Sequence, residues 1–243
     1  MKQAHIQLEE NLGVKYAILP GDPGRINKII PFFDSYEEVM YNREYRSVVG
    51  TYKGVKILAM STGMGGVSTS IAVEELHNIG IEYAIRIGSC GTSQKEVKMG
   101  DLIIPCGVVR DDGTTHCYTF DTYPAVPDLG LLNAIVESAK EAQVPHHVGI
   151  SRSHESFYAE DEAQRTEYWA NKGILGEDME SAPLMVVGRL VGLKAASILN
   201  NVVESEGDTA DSIASYQGGE SLSAIGEKNE IKVALDAFIK IDK

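Results

Sequence analysis

Positive charge is scarce in this chain. Lys and Arg total 22 against 35 Asp and Glu, a formal net charge of −13. No basic stripe is present to neutralise a phosphate backbone, which argues against nucleic acid as a partner. Cysteine is scarcer still. Cys90, Cys106 and Cys117 are the whole complement, too few and too irregularly spaced for a disulfide framework, and this usage suits a reducing compartment; Cys106 and Cys117 lack metal-ligand spacing, so no catalytic transition metal is expected. No apolar run approaches the roughly 18 residues of a membrane span, and the opening residues lack the apolar stretch of a signal peptide. A cytoplasmic protein with no membrane partner is therefore expected. No Gly-Lys-Ser/Thr follows any glycine-rich turn and no Gly-x-Ser-x-Gly is present, which removes the P-loop and weakens a serine-hydrolase reading. No Ser/Gly/Pro-rich linker and no internal repeat interrupts the chain, so residues 1–243 are expected to form one domain.

What is present is an alternation of short apolar runs and helical patterns. Strands are expected at 16–19, 55–61, 83–88, 101–109, 147–151 and 195–203. Several are nearly continuous in apolar residues, the pattern of strands covered on both faces. Helices are expected at 25–31, 68–79, 129–142, 179–191 and 222–239. In the third, Leu132, Ile135, Ala139 and Ala142 recur at spacings of three and four and mark one apolar stripe. This order predicts an α/β fold, a single domain with a central mixed β-sheet flanked by helices. Residues 204–221 are polar and turn-rich, either a loop beside a site or a solvated connection. His146 and His147 are adjacent in a strand and face opposite sides, so no joint metal site is expected there.

Chemistry concentrates in arginines set among turn residues. In a chain this acidic, an anion site must be local, built from placed guanidinium groups and bare backbone N–H groups. Gly21-Asp22-Pro23-Gly24-Arg25 joins a strand to a helix, and reads either as an anion cradle or as a tight turn with a solvated arginine. Ser61-Thr62-Gly63-Met64-Gly65-Gly66-Val67-Ser68 is a second such turn. It could cradle a ligand at the carboxyl edge of the sheet, or it could permit close helix–strand packing. Its spacing is not the dinucleotide fingerprint Gly-x-Gly-x-x-Gly. Arg86 lies between Ile85 and Ile87 in an apolar strand, and a buried arginine is costly unless paired. It either meets an anion together with Gly88-Ser89-Cys90-Gly91 or forms a structural ion pair. Asp178-Met179-Glu180 opens a helix, where the carboxylates either accept bonds from sugar hydroxyls or cap the helix.

Together these segments resemble the nucleoside phosphorylase superfamily of hexameric enzymes, nearest to its uridine phosphorylase branch. The residues that carry the resemblance are Leu19-Pro20-Gly21-Asp22-Pro23-x-Arg25, Arg43-Glu44-Tyr45, the run from Ser61 to Leu76, Arg86-Ile87-Gly88-x-x-Gly91, Tyr123-Pro124-Ala125-Val126 and Met179-Glu180-Ser181-Ala182. The resemblance implies phosphate-dependent cleavage of a nucleoside N-glycosidic bond, uridine being the first expectation. A purine nucleoside phosphorylase and a non-catalytic nucleoside-binding relative are the alternatives. It implies Gly21, Arg25, Arg86 and Ser89 at the phosphate, joined by Arg43 from a neighbouring subunit, with Arg25, Arg86 and Glu180 as the catalytic set. It implies His5, also from the neighbour, at the ribose with Asp178, Met179 and Glu180. The base would lie near Cys90, Gly91, Phe157 and Glu204. It further implies dimers assembled into a hexamer, a trimer of dimers. No cofactor is implied beyond inorganic phosphate as co-substrate, with a monovalent cation such as K+ between subunits at Glu44, Met64 and Ser68. The base side departs from the pattern. Gln164 and Arg165 are adjacent and shifted, where the branch carries Gln-x-Arg. Glu204 or Asp208 would have to serve where purine enzymes carry an Asp, and Asp178 stands where a Glu is usual.

Overall fold

The computed structural model describes residues 1–203 and 221–243. The apolar runs become the inner strands of one mixed sheet. In chain order the strands are β1 Tyr16–Pro20, β2 Ser35–Asn42, β3 Tyr45–Tyr52, β4 Val55–Met60, β5 Tyr83–Cys90, β6 Leu102–Asp111, β7 His146–His154, β8 Glu177–Asp178 and β9 Lys194–Asn201. They lie side by side in the order β2-β3-β4-β1-β5-β9-β6-β7-β8. The pairs β4/β1, β1/β5 and β5/β9 are parallel, as are β6/β7 and β7/β8. The hairpin β2/β3, the pair β3/β4 and the junction β9/β6 are antiparallel. The described helices are α1 Ile26–Ile29, α2 Gly66–Asn78, α3 Gly113–Tyr118, α4 Leu129–Glu141, α5 Glu162–Ala170, α6 Ser181–Val191 and α7 Leu222–Ile241.

The sheet is sandwiched between two helical layers. On one face Ile18, Ile85, Ile87 and Ile198 pack against α1, α4 and α7. On the other Leu19, Leu58, Met60 and Ala84 pack against α2 and α6. Alternate residues of β1 and β5 thus serve opposite faces, which explains their unbroken apolarity.

Several boundaries differ from the expectation. The segment 25–31 is only one turn of α-helix between two short 3-10 stretches, because Pro23 and Pro31 remove N–H donors at both ends. The helix expected from 179 starts at Ser181, with Glu180 at its N-cap. The apolar stripe of α4 is rotated. Leu131, Ala134, Ile135 and Ala139 are buried, whereas Leu132 and Ala142 are partly covered. The hairpin β2/β3 and helices α3 and α5 had no counterpart among the expected elements.

One close approach matters for function. A side-chain carbon at Gly226 would lie 2.0 Å from Asn200 Oδ1 and 2.7 Å from the Gly100 carbonyl. Glycine there lets the first turns of α7 press onto the end of β9, which brings the acidic residues that follow, Glu227 and Glu230, beneath β1 and β5. Among the described residues no helix is long and apolar enough to cross a membrane.

Candidate functional site

Three parallel strands deliver their carboxyl ends to one place. The β1–β4 ladder continues past both strands, with Thr62 N–H donating to the Pro20 carbonyl and Gly63 N–H to the Gly21 carbonyl, each at 2.9 Å. A side chain at Gly21 would meet the Gly63 carbonyl at 3.1 Å and Arg86 Nη1 at 3.8 Å. Arg86 rises from β5 beside this turn and folds back over Gly88, where an added carbon would stand 2.5 Å from Nη2 and 2.7 Å from Cζ. The glycines on either side are the space the guanidinium occupies.

Arg86 is 5% exposed. Its Nε donates to Asp178 Oδ2 at 2.9 Å and its Nη2 meets Glu180 Oε2 at 2.5 Å. Burial alone would lower its pKa, but the two carboxylates outweigh burial and hold it charged. The third nitrogen, Nη1, is buried and has no acceptor. A buried charged donor of this kind is expensive in a resting core, and this one points at the Gly21 turn.

The acidic pair splits into two roles. Asp178 Oδ1 accepts from Ser153 Oγ at 2.6 Å, and Oδ2 accepts from Ser181 N–H at 3.0 Å and Ser181 Oγ at 2.6 Å in addition to Arg86. Its oxygens are all engaged by protein, so Asp178 caps the start of α6 and orients Arg86. Glu180 Oε1 accepts from Gly65 N–H at 2.5 Å, at the N-terminus of α2. Burial pushes its carboxyl up, Arg86 opposes this and Asp178 adds to it, with a net rise. Met179, between them, is half-buried.

Arg25 reaches the same region from the β1 turn. Its Nε contacts Glu227 Oε1 at 2.9 Å, and its Nη1 lies 3.4 Å from the Ile87 carbonyl and 3.5 Å from Glu230 Oε1. Ser89 is half-buried at the end of β5. Cys90 packs its thiol among Val97, Ile103 and Leu199, and burial pushes the thiol well up, so the side chain faces the core. Gly91 bridges to Glu177 in β8. Phe157 is half-buried and meets Tyr158 edge-on at 5.0 Å. Glu204 and Asp208 lie outside the described residues.

His5 and Arg43 are elsewhere on this chain. Glu75 Oε2 accepts from the backbone N–H groups of His5 and Ile6 at 3.0 and 2.8 Å, and Oε1 meets His5 Nδ1 at 2.6 Å. Glu75 is ten residues along α2 from Gly65, about 15 Å at the helical rise. Arg43 is exposed in the β2–β3 turn with φ 55°, and the preceding Asn42 donates to the His5 carbonyl at 2.7 Å. The expected residues therefore form a buried group around Arg86 and a second group, farther out, of half-buried His5 and exposed Arg43. Glu44 and Ser68 meet beside Gly63, and Ser68 Oγ donates to the carbonyl of exposed Met64 at 3.1 Å. Gln164 and Arg165 line a separate surface cavity of about 270 Å³ with Asp111, Asp161, Tyr168 and Trp169.

Glu75 is the anchor of the N-terminal segment. Burial raises its pKa, but hydrogen bonds from Ile6 and His5 outweigh burial and hold it below the ordinary carboxylate range. A depressed folded-state pKa stabilises the fold above the unfolded value, and that contribution drains away as pH falls through the lowered one. Glu75→Ala is expected to cost about 2–3 kcal/mol in urea unfolding near neutral pH and to flatten the loss of stability on acidification. An unchanged midpoint would remove Glu75 as the anchor.

A second buried arginine, Arg152, was not singled out from the sequence. It is 1% exposed in β7, bound to Asp111 Oδ2 at 2.7 Å, Glu162 Oε1 at 2.7 Å and Glu177 Oε1 at 3.3 Å. Its flanking residues, Ser151 and Ser153, are small and buried. His154, Glu162 and Glu177 bring ligand atoms within 4.8 Å of one another, but Arg152 already supplies both carboxylates with a cation. Arg152→Ala is expected to destabilise by about 3 kcal/mol, because it strands partly buried carboxylates; the urea midpoint measures it, and a change under about 0.5 kcal/mol would make the cluster incidental.

The chain as a whole is similar to known proteins. A family model described as phosphorylase superfamily matches residues 15–221. A guanosine phosphorylase of Halorubrum lacusprofundi is 37% identical over 87% of this chain and 88% of its own length. A uridine phosphorylase of Thermococcus kodakarensis is 35% identical over 95% and 89% respectively. The crystal structure of uridine phosphorylase from Vibrio fischeri ES114 superposes with a TM-score of 0.91 at 41% identity, covering 98% of each chain. With more than four-fifths of its length matched in family order, the chain belongs to the phosphorylase superfamily.

Proposed function

We propose that the protein is a nucleoside phosphorylase, a pentosyltransferase that uses inorganic phosphate to release the base of a nucleoside as ribose 1-phosphate forms. Uridine is the leading substrate. The observation that carries this reading is Arg86 Nη1, a buried cationic donor without an acceptor beside Gly21. An anionic oxygen in the turn would complete it, and Arg25 stands on the far side of β5 to share the charge.

The chemistry follows from charge. Cleavage of an N-glycosidic bond passes through an oxocarbenium-like sugar. Phosphate held under C1′ by Arg25 and Arg86 acts as nucleophile and stabilises that cation as it develops. Glu180 keeps lone pairs beyond those used by Gly65 and Arg86 and accepts the ribose hydroxyls. No protein nucleophile is required. Arg43, exposed in the β2–β3 turn, and His5, half-buried and tied to that hairpin through Asn42, serve the phosphate and ribose of a neighbouring subunit. The protein therefore works as a dimer unit, assembled as a hexamer, in the cytoplasm, in nucleoside salvage. Glu44, Met64 and Ser68 are the place for a monovalent cation between subunits.

The second reading is purine phosphorolysis, favoured by the guanosine phosphorylase similarity and by the displaced Gln164-Arg165 pair. Base release from uridine, thymidine, inosine, guanosine and adenosine, each with and without phosphate, tests both. Phosphate-dependent uracil release supports the first reading and purine release the second. No release from any of the five sinks phosphorolysis of common nucleosides.

A further inference from the structure

Arg25 meets an unusual counter-charge. Two acidic residues one helical turn apart on α7, Glu227 and Glu230, approach it from beneath the sheet. Glu227 is satisfied twice, by Arg25 Nε at 2.9 Å and by Lys28 Nζ at 2.7 Å. Glu230 is not. It is fully buried, and neither carboxyl oxygen makes a hydrogen bond of good geometry. Its nearest cationic nitrogen is Arg25 Nη1 at 3.5 Å, the same nitrogen that lies 3.4 Å from the Ile87 carbonyl. A helix glutamate at full burial is rare unless paired.

We propose that Glu230 is a positioning residue for the phosphate site: from beneath the sheet it sets the direction and the effective charge of Arg25, and through Arg25 it makes anion affinity depend on pH. The inference rests on the phosphorylase reading and names how that site is tuned. The groups that act on Glu230 are Arg25 from the β1 turn, Glu227 on its own helix, and Arg86 with the Gly88 backbone N–H from β5. Cys90, also on β5, senses it from the other direction. Burial pushes the Glu230 carboxyl up to about 8, against the pull of Arg25. Near neutral pH the group is mostly uncharged, so of the two acids on α7 only Glu227, which Lys28 also contacts, sets a full negative charge against Arg25. As pH rises past this value Glu230 ionises and adds its own negative charge beside the same guanidinium. Less positive charge then remains for an anion on the site side. The linkage is reciprocal: an anion bound at Arg25 favours the protonated form of Glu230, so binding near this pH takes up a proton.

The test uses sulfate as the first probe, because it stays dianionic where phosphate itself still titrates. Sulfate binding to the wild-type protein is measured by calorimetry between about pH 7 and pH 9, in buffers of different ionisation enthalpy so that proton uptake is counted. Affinity is expected to weaken about fivefold or more across this range, with net proton uptake near its middle. KM for phosphate, expressed per dianion, should rise in parallel while KM for the nucleoside does not. In Glu230→Gln both the pH dependence of anion affinity and the proton uptake should vanish. A merely structural role would move neither readout. Equal sulfate affinity at both ends of the range in the wild type overturns the proposal, with or without a foldable variant. Retention of the full pH dependence in Glu230→Gln overturns it too. A protein that binds no sulfate and releases no base fails the phosphorylase reading itself, whereas sulfate binding that ignores pH fails only the role given to Glu230.

Discussion

Arg86→Ala is expected to lose about three orders of magnitude in kcat/KM, the scale of removing a preorganised charge-stabilising donor. It should also lose about 3–5 kcal/mol of stability, the scale of stranding a buried partner. The two losses have one origin. Arg86 is the counter-ion of both Asp178 and Glu180, so its removal leaves two carboxylates in a dry core while deleting the donor beside Gly21. Arg86→Ala combined with Asp178→Asn and Glu180→Gln separates the two effects. The combined variant should recover much of the urea midpoint, because the stranded charges are gone, and none of the activity. Phosphorolysis by Arg86→Ala within about tenfold of wild type would remove the arginine from the chemistry.

Activity restored by mixing two dead proteins is the second large effect expected. If Arg43 serves the neighbouring subunit's phosphate, Arg43→Ala and Arg86→Ala damage complementary halves of one composite site. Each variant alone should be at least about a hundredfold impaired. When the two are dissociated, combined in equal amounts and reassembled, about half of the dimers are mixed and each carries one intact site, so about a quarter of wild-type activity should return. The restored kcat/KM per intact site should equal the wild-type value. No recovery, with reassembly verified by light scattering, would mean that Arg43 acts within its own chain or not at all. Its position supports the shared site: Arg43 is an exposed residue held at positive φ, a conformation that costs non-glycine residues energy and tends to persist where the surroundings or a function require it.

Much of this architecture was legible because inner strands advertise themselves. The runs that became β1, β4, β5 and β9 are apolar on both faces, and a charged residue inside one of them stands out. That contrast made Arg86 visible; Arg152 lies between Ser151 and Ser153, whose polarity removes the contrast. The hairpin β2/β3 was harder to read. No residue of β2 is buried, and Tyr36-Glu37-Glu38 are exposed, so its strand character comes from pairing with β3 and not from burial. Helix α5 buries no residue, so its sequence carries no apolar stripe to find. In the site, the glycine turns and the acidic pair were legible as types but not as partners. Nothing local says that Asp178 faces inward to serine and arginine while Glu180 reaches across to the first turn of α2. Glu227 and Glu230 were invisible for a plainer reason: acids in a helix are solvated by default, and only the approach of α7 to β9 at Gly226 buries them.

That approach has a consequence for how the protein comes into being. Arg25 leaves the ribosome early, and its carboxylate partners on α7 follow about 200 residues later, a delay of about 10–40 s at ordinary rates of synthesis. During that interval the core face of β1 and β5 can gather α1 and α4, but the guanidinium it must enclose has no counter-charge from α7 to meet. The nascent chain should therefore stay loosely closed, sensitive to protease and within reach of chaperones, until α7 arrives. Shutting the core and fixing the direction of Arg25 become one event. A ribosome stalled before α7 would hold a chain with its sheet drawn together and neither task finished.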